Sequence, residues 1–320
     1  MLNLLLFTTT VIVWGTTWIA ISAQTGEVPI MVSIFLRLAL AGAVMLAGLA
    51  VLARLHRPPV WRFVIIQAVC LFCFNFIGLY KATGLIMSGL VAVVFSLASV
   101  FNAVNARVFF GDRITAQTLL AGVIGASGLG LIFWTDLFGR FDAATVRGIG
   151  WAALGTLMFS FGNMASRRNS ELGISPVTAN SWGMALGALA LGGLIVVQGQ
   201  PVTLTLEPDY WAALIYLAIV GSVAGFTTYL VLVARIGSTR AGYATVIFPV
   251  VALAISTAVE EYSWTPIAIV GVALTIFGNV IMFWRPRARA ATHLPANPRS
   301  AGLTPTMAVE LDSALPHNKE

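Results

Sequence analysis

An all-α integral membrane fold of ten transmembrane helices, arranged as two inverted five-helix repeats, is what this sequence predicts. Three observations carry that prediction: the composition, the spacing of the apolar runs, and the segregation of basic residues between alternate loops. The chain has 320 residues, 58% of them hydrophobic, and only 9% are charged. Soluble domains carry about 25% charged residues, so a water-facing shell cannot be built from this chain. That excludes a soluble globular protein, a disordered one and a disulfide-rich module. It also excludes a nucleic-acid binder, in spite of a net charge of +6 and a pI near 9.8. The solvent is lipid.

A helix needs about 20 apolar residues to cross the hydrocarbon core. Taken in order, runs of that kind bounded by charge, Pro or Gly span Leu4–Ser22, Pro29–Leu52, Phe63–Leu79, Gly84–Ala106 and Thr118–Trp134. The second half repeats the series with Ile149–Ala165, Pro176–Val197, Trp211–Ala234, Ala241–Val259 and Pro266–Trp284. The first run lacks a basic leader, is longer than a signal-peptide core and contains Trp14 and Trp18, so it reads as a retained helix. From Arg285 to Glu320 the chain turns to Pro, Ala, Thr and Asn without an apolar period, the composition of a disordered tail.

Cytoplasmic loops are enriched in Lys and Arg. With ten spans, one parity class of loops, tail included, collects 14 basic residues and the other class 3, leaving Arg37 inside the second run. Both termini are therefore expected in the cytoplasm, with the protein in the inner (plasma) membrane. Cys70 and Cys73 form a C-x-x-C within an apolar run and read as packing residues, with no histidine near them. No metal or cofactor is expected.

Comparison of the halves yields an internal repeat. Trp14-Gly15 and Pro29 recur as Phe161-Gly162 and Pro176 at an offset of 147; Leu79, Gly84 and Gly89 recur as Leu232, Gly237 and Gly242; Gly128, Phe133 and Trp134 recur as Gly278, Phe283 and Trp284. The two units are bounded at 1–139 and 148–284. Five helices is an odd number, so the second unit enters the membrane in the opposite sense. Inverted repeats of this kind place a substrate site near the midplane between them, which is the plan of alternating access.

Trp14-Gly15, the stretch Pro29 to Arg37-Leu38-Ala39, Gly89, and Gly111-Asp112-Arg113 followed by glycines resemble the EamA repeat, two copies of which make the drug/metabolite transporter superfamily. The resemblance covers residues 1–284. It implies a secondary transporter of small metabolites, and within the family the chain is similar to aromatic amino acid exporters in length and aromatic content. The family often has Pro in the fourth helix as well as the ninth; here Ser99 is read as standing where Pro249 stands in the second repeat, so the hinge is assigned to Pro249.

All twelve acidic residues lie outside the spans or at their ends, and no histidine is intramembrane. This argues against an intramembrane enzyme and against a proton relay through a buried carboxylate. Arg37 is the one charge well inside a span, about 12 Å from the nearer end at 1.5 Å per residue. It reads either as a clamp for a substrate carboxylate or as a structural group answered by carbonyls and polar side chains, Ser33 being one turn away. Polar and aromatic residues repeating at helical spacing complete the expected substrate site: Trp14, Thr17 and Trp18 with Thr10 in helix one; Asn75 with Gln67 in helix three; Ser99 and Asn102 with Ser88 and Phe95 in helix four; Asn163 with Ser160, and Trp182 with Asn180, in helices six and seven; and Tyr243. The same faces suit plain interhelical hydrogen bonding. Tyr80-Lys81 reads as an interfacial anchor or a gate.

The functional expectation is export of small metabolites, amino acids with apolar or aromatic side chains favoured, by one chain in a lipid bilayer acting as a monomer. A channel-like facilitator, a broad drug/metabolite exporter, and a receptor or scaffold acting through the tail are the alternatives.

Overall fold

The computed structural model describes residues 1–26, 28–134, 142–236, 244–261 and 264–283; Glu27, Tyr243, Trp284 and the expected tail 285–320 lie outside the described residues. Among the described residues ten helical rods follow one another. They are α1 (Leu2–Ser22), α2 (Ile30–Val51), α3 (Arg62–Thr83), α4 (Ser88–Phe110) and α5 (Ala116–Ile132). The second series is α6 (Ala143–Glu171), α7 (Pro176–Val197), α8 (Pro208–Ile236), α9 (Ala244–Val259) and α10 (Pro266–Phe283). Among the described residues six helices are long and apolar enough to cross a membrane by themselves, and three further apolar helices are shorter. The rest of the structure is consistent with one multi-pass bundle.

Helix ends differ from the apolar runs where polar residues extend a rod. In α6, Asp142 accepts from the amides of Ala144 and Thr145, an N-cap that starts the helix six residues before its apolar run. Its Thr145 and backbone partners also hold the Asp142 carboxyl below the ordinary carboxylate range. Rod α3 runs on through Tyr80 and Lys81 to Thr83, so α4 begins at Ser88 and not at Gly84. Gly111 ends α4 with φ 73°, a left-handed cap suited to glycine, which explains the first letter of the Gly-Asp-Arg motif.

The packing repeats with the sequence. Rods α2 and α7 pack on each other, and so do α5 and α10. Rod α3 packs on α6 as α8 packs on α1, and α4 packs on α6 as α9 packs on α1. Exchanging each helix with the one five places later leaves this pattern unchanged, which is what a two-fold relation between the units requires. Small residues make the close crossings: a Cβ on Gly78 in α3 would lie 2.7 Å from the Cα of Gly155 in α6.

Two features break the regular ladder at equivalent places. Both α3 and α8 pass through a π-helical stretch, Ala68–Phe74 and Tyr216–Ala224. Such wide turns leave irregular backbone at the centre of a bundle and are frequent at functional sites. The fourth helix of each repeat departs from the hinge assignment to Pro249. Rod α9 runs as one helix across Pro249, whereas α4 is interrupted at Ser96–Leu97, three residues before Ser99.

Candidate functional site

Residues of α1, α2, α3, α4, α6, α8 and α9 line a central cavity of about 70 Å³, with Gly221 coming from the π stretch of α8 and Asn75 following directly on the π stretch of α3. Trp14, Thr17, Trp18 and Ile21 line it from α1, Arg37 from α2, and Asn75, Phe76 and Leu79 from α3. Phe95, Phe159, Gly221, Phe226 and Phe248 complete the wall. Rings touch all round it: Trp18 stacks on Phe248 at 6.2 Å and meets Phe95 at 5.5 Å, Phe95 meets Phe159 at 4.7 Å, and Trp14 meets Phe226 at 5.6 Å. Substrate pockets commonly occupy about 300–1,000 Å³, so this cavity is contracted and holds a few waters at most.

Arg37 is 3% exposed. Its Nε donates to Ser222 Oγ at 3.1 Å and one terminal nitrogen donates to Tyr80 Oη at 3.3 Å, with the guanidinium 4.6 Å from the centre of the Phe76 ring. Tyr80 in turn donates to Gln24 Oε1 at 2.8 Å, and Ser222 donates to the Leu217 carbonyl at 2.9 Å. A guanidinium has five N–H donors. Only two hydrogen bonds are made, and no carboxylate pairs with Arg37 among the described residues. Two other buried polar atoms of cavity-lining residues have no partner: the Trp18 Nε1 donor and the Asn75 Oδ1 acceptor.

Six of the residues singled out in the sequence thus come together: Trp14, Thr17, Trp18, Arg37, Asn75 and Phe95. The others are placed elsewhere. Ser33 bonds Tyr210 at 2.9 Å across the α2–α8 contact, and not Arg37. Tyr80 is fully buried, because Arg37 and Gln24 bracket its hydroxyl, so it is not an interfacial anchor and reaches the site only through Arg37. Ser99 donates to Asn279 at 3.1 Å and Asn163 donates to Asn102 at 3.3 Å, both interhelical ties. Trp182 lies beside Trp61, with its Nε1 on the His56 carbonyl, and holds down the loop after α2. Pro249 follows the cavity residue Phe248 directly. Sequence reasoning missed Phe76, Phe159, Phe226, Phe248, Gln24 and Ser222; the Gly221-Ser222 pair in an apolar run was the one available signal.

A second cavity, about 320 Å³, opens on the flank between α3, α4 and α6, lined by Phe63, Cys70, Phe110, Phe161 and Arg168 among others. It is larger, but Trp18 Nε1 and Asn75 Oδ1, buried and without partners, belong to residues lining the central cavity and no such atom among the described residues lines the flank, and convergent polar groups mark a binding site better than volume does. Cys70 faces this flank and Cys73 is buried; both are free thiols.

Comparison with known proteins agrees with the geometry. A solved structure described as "Crystal structure of protein" shares the fold, with a TM-score of 0.63 at 20% identity, covering 88% of this chain and 96% of that one. A Bacillus subtilis (strain 168) protein described as the uncharacterized transporter YyaM is 25% identical over 259 residues, 76% of this chain and 80% of its own length. The model of the EamA-like transporter family matches residues 1–134 and again 146–284. This chain, with its two repeats and its central cavity, belongs to the EamA-like transporter family.

Proposed function

We propose that this protein is a secondary transporter exporting amino acids with aromatic or apolar side chains by alternating access. It works as a single chain in the inner membrane, with both ends in the cytoplasm. One observation carries the substrate class: a buried arginine with no acidic partner among the described residues faces an aromatic cavity. Leaving a cation uncompensated in mid-membrane is costly, about 2.5–3.5 kcal/mol on insertion scales. A carboxylate on the substrate answers it, and its spare oxygen suits the free Trp18 Nε1–H. The unpartnered Asn75 Oδ1 accepts from the ammonium group. The rings of Trp14, Trp18, Phe95 and Phe248 take the side chain, where each aromatic pair contributes about 0.5–1.5 kcal/mol beyond area burial. The contracted volume supports alternating access, since a substrate of this size enters only when the helices part.

The test is counterflow in proteoliposomes loaded with tryptophan or phenylalanine. Saturable exchange is expected, with tryptamine and indolepropionate, which lack the carboxylate and the amine respectively, as poor substrates. Flux that does not saturate would point to a channel-like facilitator. Tryptamine carried as well as tryptophan would point to a broad drug/metabolite exporter, a reading favoured only by the largely apolar wall.

A further inference from the structure

Outside the cavity, two carboxylates occupy equivalent places at opposite faces of the bundle. Glu260 closes α9 and Asp112 follows α4, its counterpart in the first repeat. Glu260 reaches three helices. Its Oε1 accepts from Ser22 Oγ of α1 at 3.0 Å; its Oε2 accepts from the Ser88 amide at 3.0 Å, from Ser88 Oγ at 2.9 Å, and from Ser256 Oγ of α9 at 2.5 Å. It thereby ties the end of α1 to the start of α4 and the end of α9. Asp112 takes a two-pronged hydrogen bond from Arg167 of α6, at 2.6 and 3.3 Å. That ties the end of α4 to the end of α6. Since α6 and α4 correspond to α1 and α9, each carboxylate fastens an equivalent pair of helices across the two repeats.

The two ties differ in strength. Arg167 and Asp112 are 41% and 46% exposed, and an exposed ion pair contributes little. Glu260 is partly buried, gathers four short contacts and sits at the N-terminus of α4, where the helix dipole favours negative charge.

We infer that Glu260 and Asp112 are paired positioning residues of the transport cycle, one holding each face shut. Opening the face of the Ser88 end breaks the Glu260 tie, and opening the other face breaks the Asp112 tie. This rests on the alternating-access reading. The stronger Glu260 tie sets the resting state: the Ser88 face is the more tightly closed of the two.

The experiment places one reporter cysteine beside each tie in full-length protein carrying Cys70→Ser and Cys73→Ser, in nanodiscs open to a hydrophilic maleimide on both faces. Ile21→Cys reports the α1–α9 seam and Asn163→Cys the α4–α6 seam. Glu260→Gln should raise the labelling of Ile21→Cys relative to Asn163→Cys by about tenfold, the population change expected when charged hydrogen bonds present in one state are lost. Asp112→Asn should move the ratio the other way and by less, and the double variant should lie between. Ser88→Ala and Ser22→Ala, which keep the carboxylate, should reproduce part of the Glu260→Gln shift and guard against a folding defect. A merely structural role raises both reporters together, and that result overturns the inference. An unchanged ratio in all variants, in protein whose two reporters still respond oppositely to added substrate, overturns it while leaving alternation intact. Reporters that never respond oppositely overturn the alternating-access reading itself, and this inference with it.

Discussion

Replacing Arg37 with glutamine separates its two readings, because the structure shows what each partner keeps. Ser222 loses an accepted bond but still donates to the Leu217 carbonyl, and Tyr80 still donates to Gln24. Neither is left with an orphaned donor. A neutral amide is also cheaper than a cation at this depth. Folding stability should therefore hold: each kcal/mol moves the melting temperature of a chain this long by about 2–4 °C, so a shift within about 2 °C is expected. On the proposed function binding should suffer fully, because the guanidinium is then the donor of the charged hydrogen bond to the carboxylate. Its loss costs about 1.5–3 kcal/mol, or roughly 10- to 150-fold in affinity. The assay measures tryptophan binding, transport of tryptophan and of tryptamine, and melting temperature on one purified preparation. A variant that melts much lower and carries both compounds equally poorly would show Arg37 to be structural and refute the reasoning. Arg37→Lys should recover only part of the affinity, since an ammonium lacks the planar fork.

Further outcomes test other parts of the account. Transport in liposomes should persist when an imposed pH gradient is collapsed, because among the described residues no carboxylate or histidine lines the cavity; strict dependence on protons would reveal a titrating group elsewhere. Cysteines at the positions of Arg57 and Arg168 should label from the cytoplasmic side and one at Glu207 from outside, and the opposite pattern would invert the topology. Gly78→Leu should lower thermal stability without selecting between substrates, as its side chain would collide with the backbone of Gly155; overpacking of this kind costs about 1–3 kcal/mol. The Arg167 hydrogen bond holds the Asp112 carboxyl below the ordinary carboxylate range. The tie is thus fully present above that range and is lost as pH falls through the lowered value, which labelling of Asn163→Cys across an acid titration would register.

The ten rods were legible because lipid imposes a length and an apolar composition that soluble packing does not. The two-unit repeat was legible in matched glycines and prolines, whose small or rigid backbones mark close crossings. What failed has a common cause. A polar face on an apolar helix signals burial, yet a buried face meets either a cavity or another helix. Trp18 and Asn75 meet the cavity, while Ser99, Asn102 and Asn163 meet helices. The π stretches were invisible, since their residues are as apolar as the α-helical ones beside them, and with them went Ser222 and the true surroundings of Arg37.

The repeat is kept in the frame and broken in the site. At the offset that matches Pro29 with Pro176, Ser33 falls on Asn180 and Arg37 on Met184, and Met184 is as completely buried as Arg37. Around the first pair stand Tyr210, Tyr80 and Gln24; around the second, Gln67 and Asn169, which close a neutral network with Asn180 at 2.6 and 2.9 Å. Polar side chains fill both places, but only one carries charge. A bundle whose halves exchange roles needs equivalent contacts on either side of its axis, and the α1–α9 and α4–α6 seams supply them. A substrate bearing a single carboxylate needs no second cation. On the proposed function such a substrate, held by Arg37 on α2 and walled by Phe226 and Phe248 from the other repeat, would stay with one half while the rings of the second part from it.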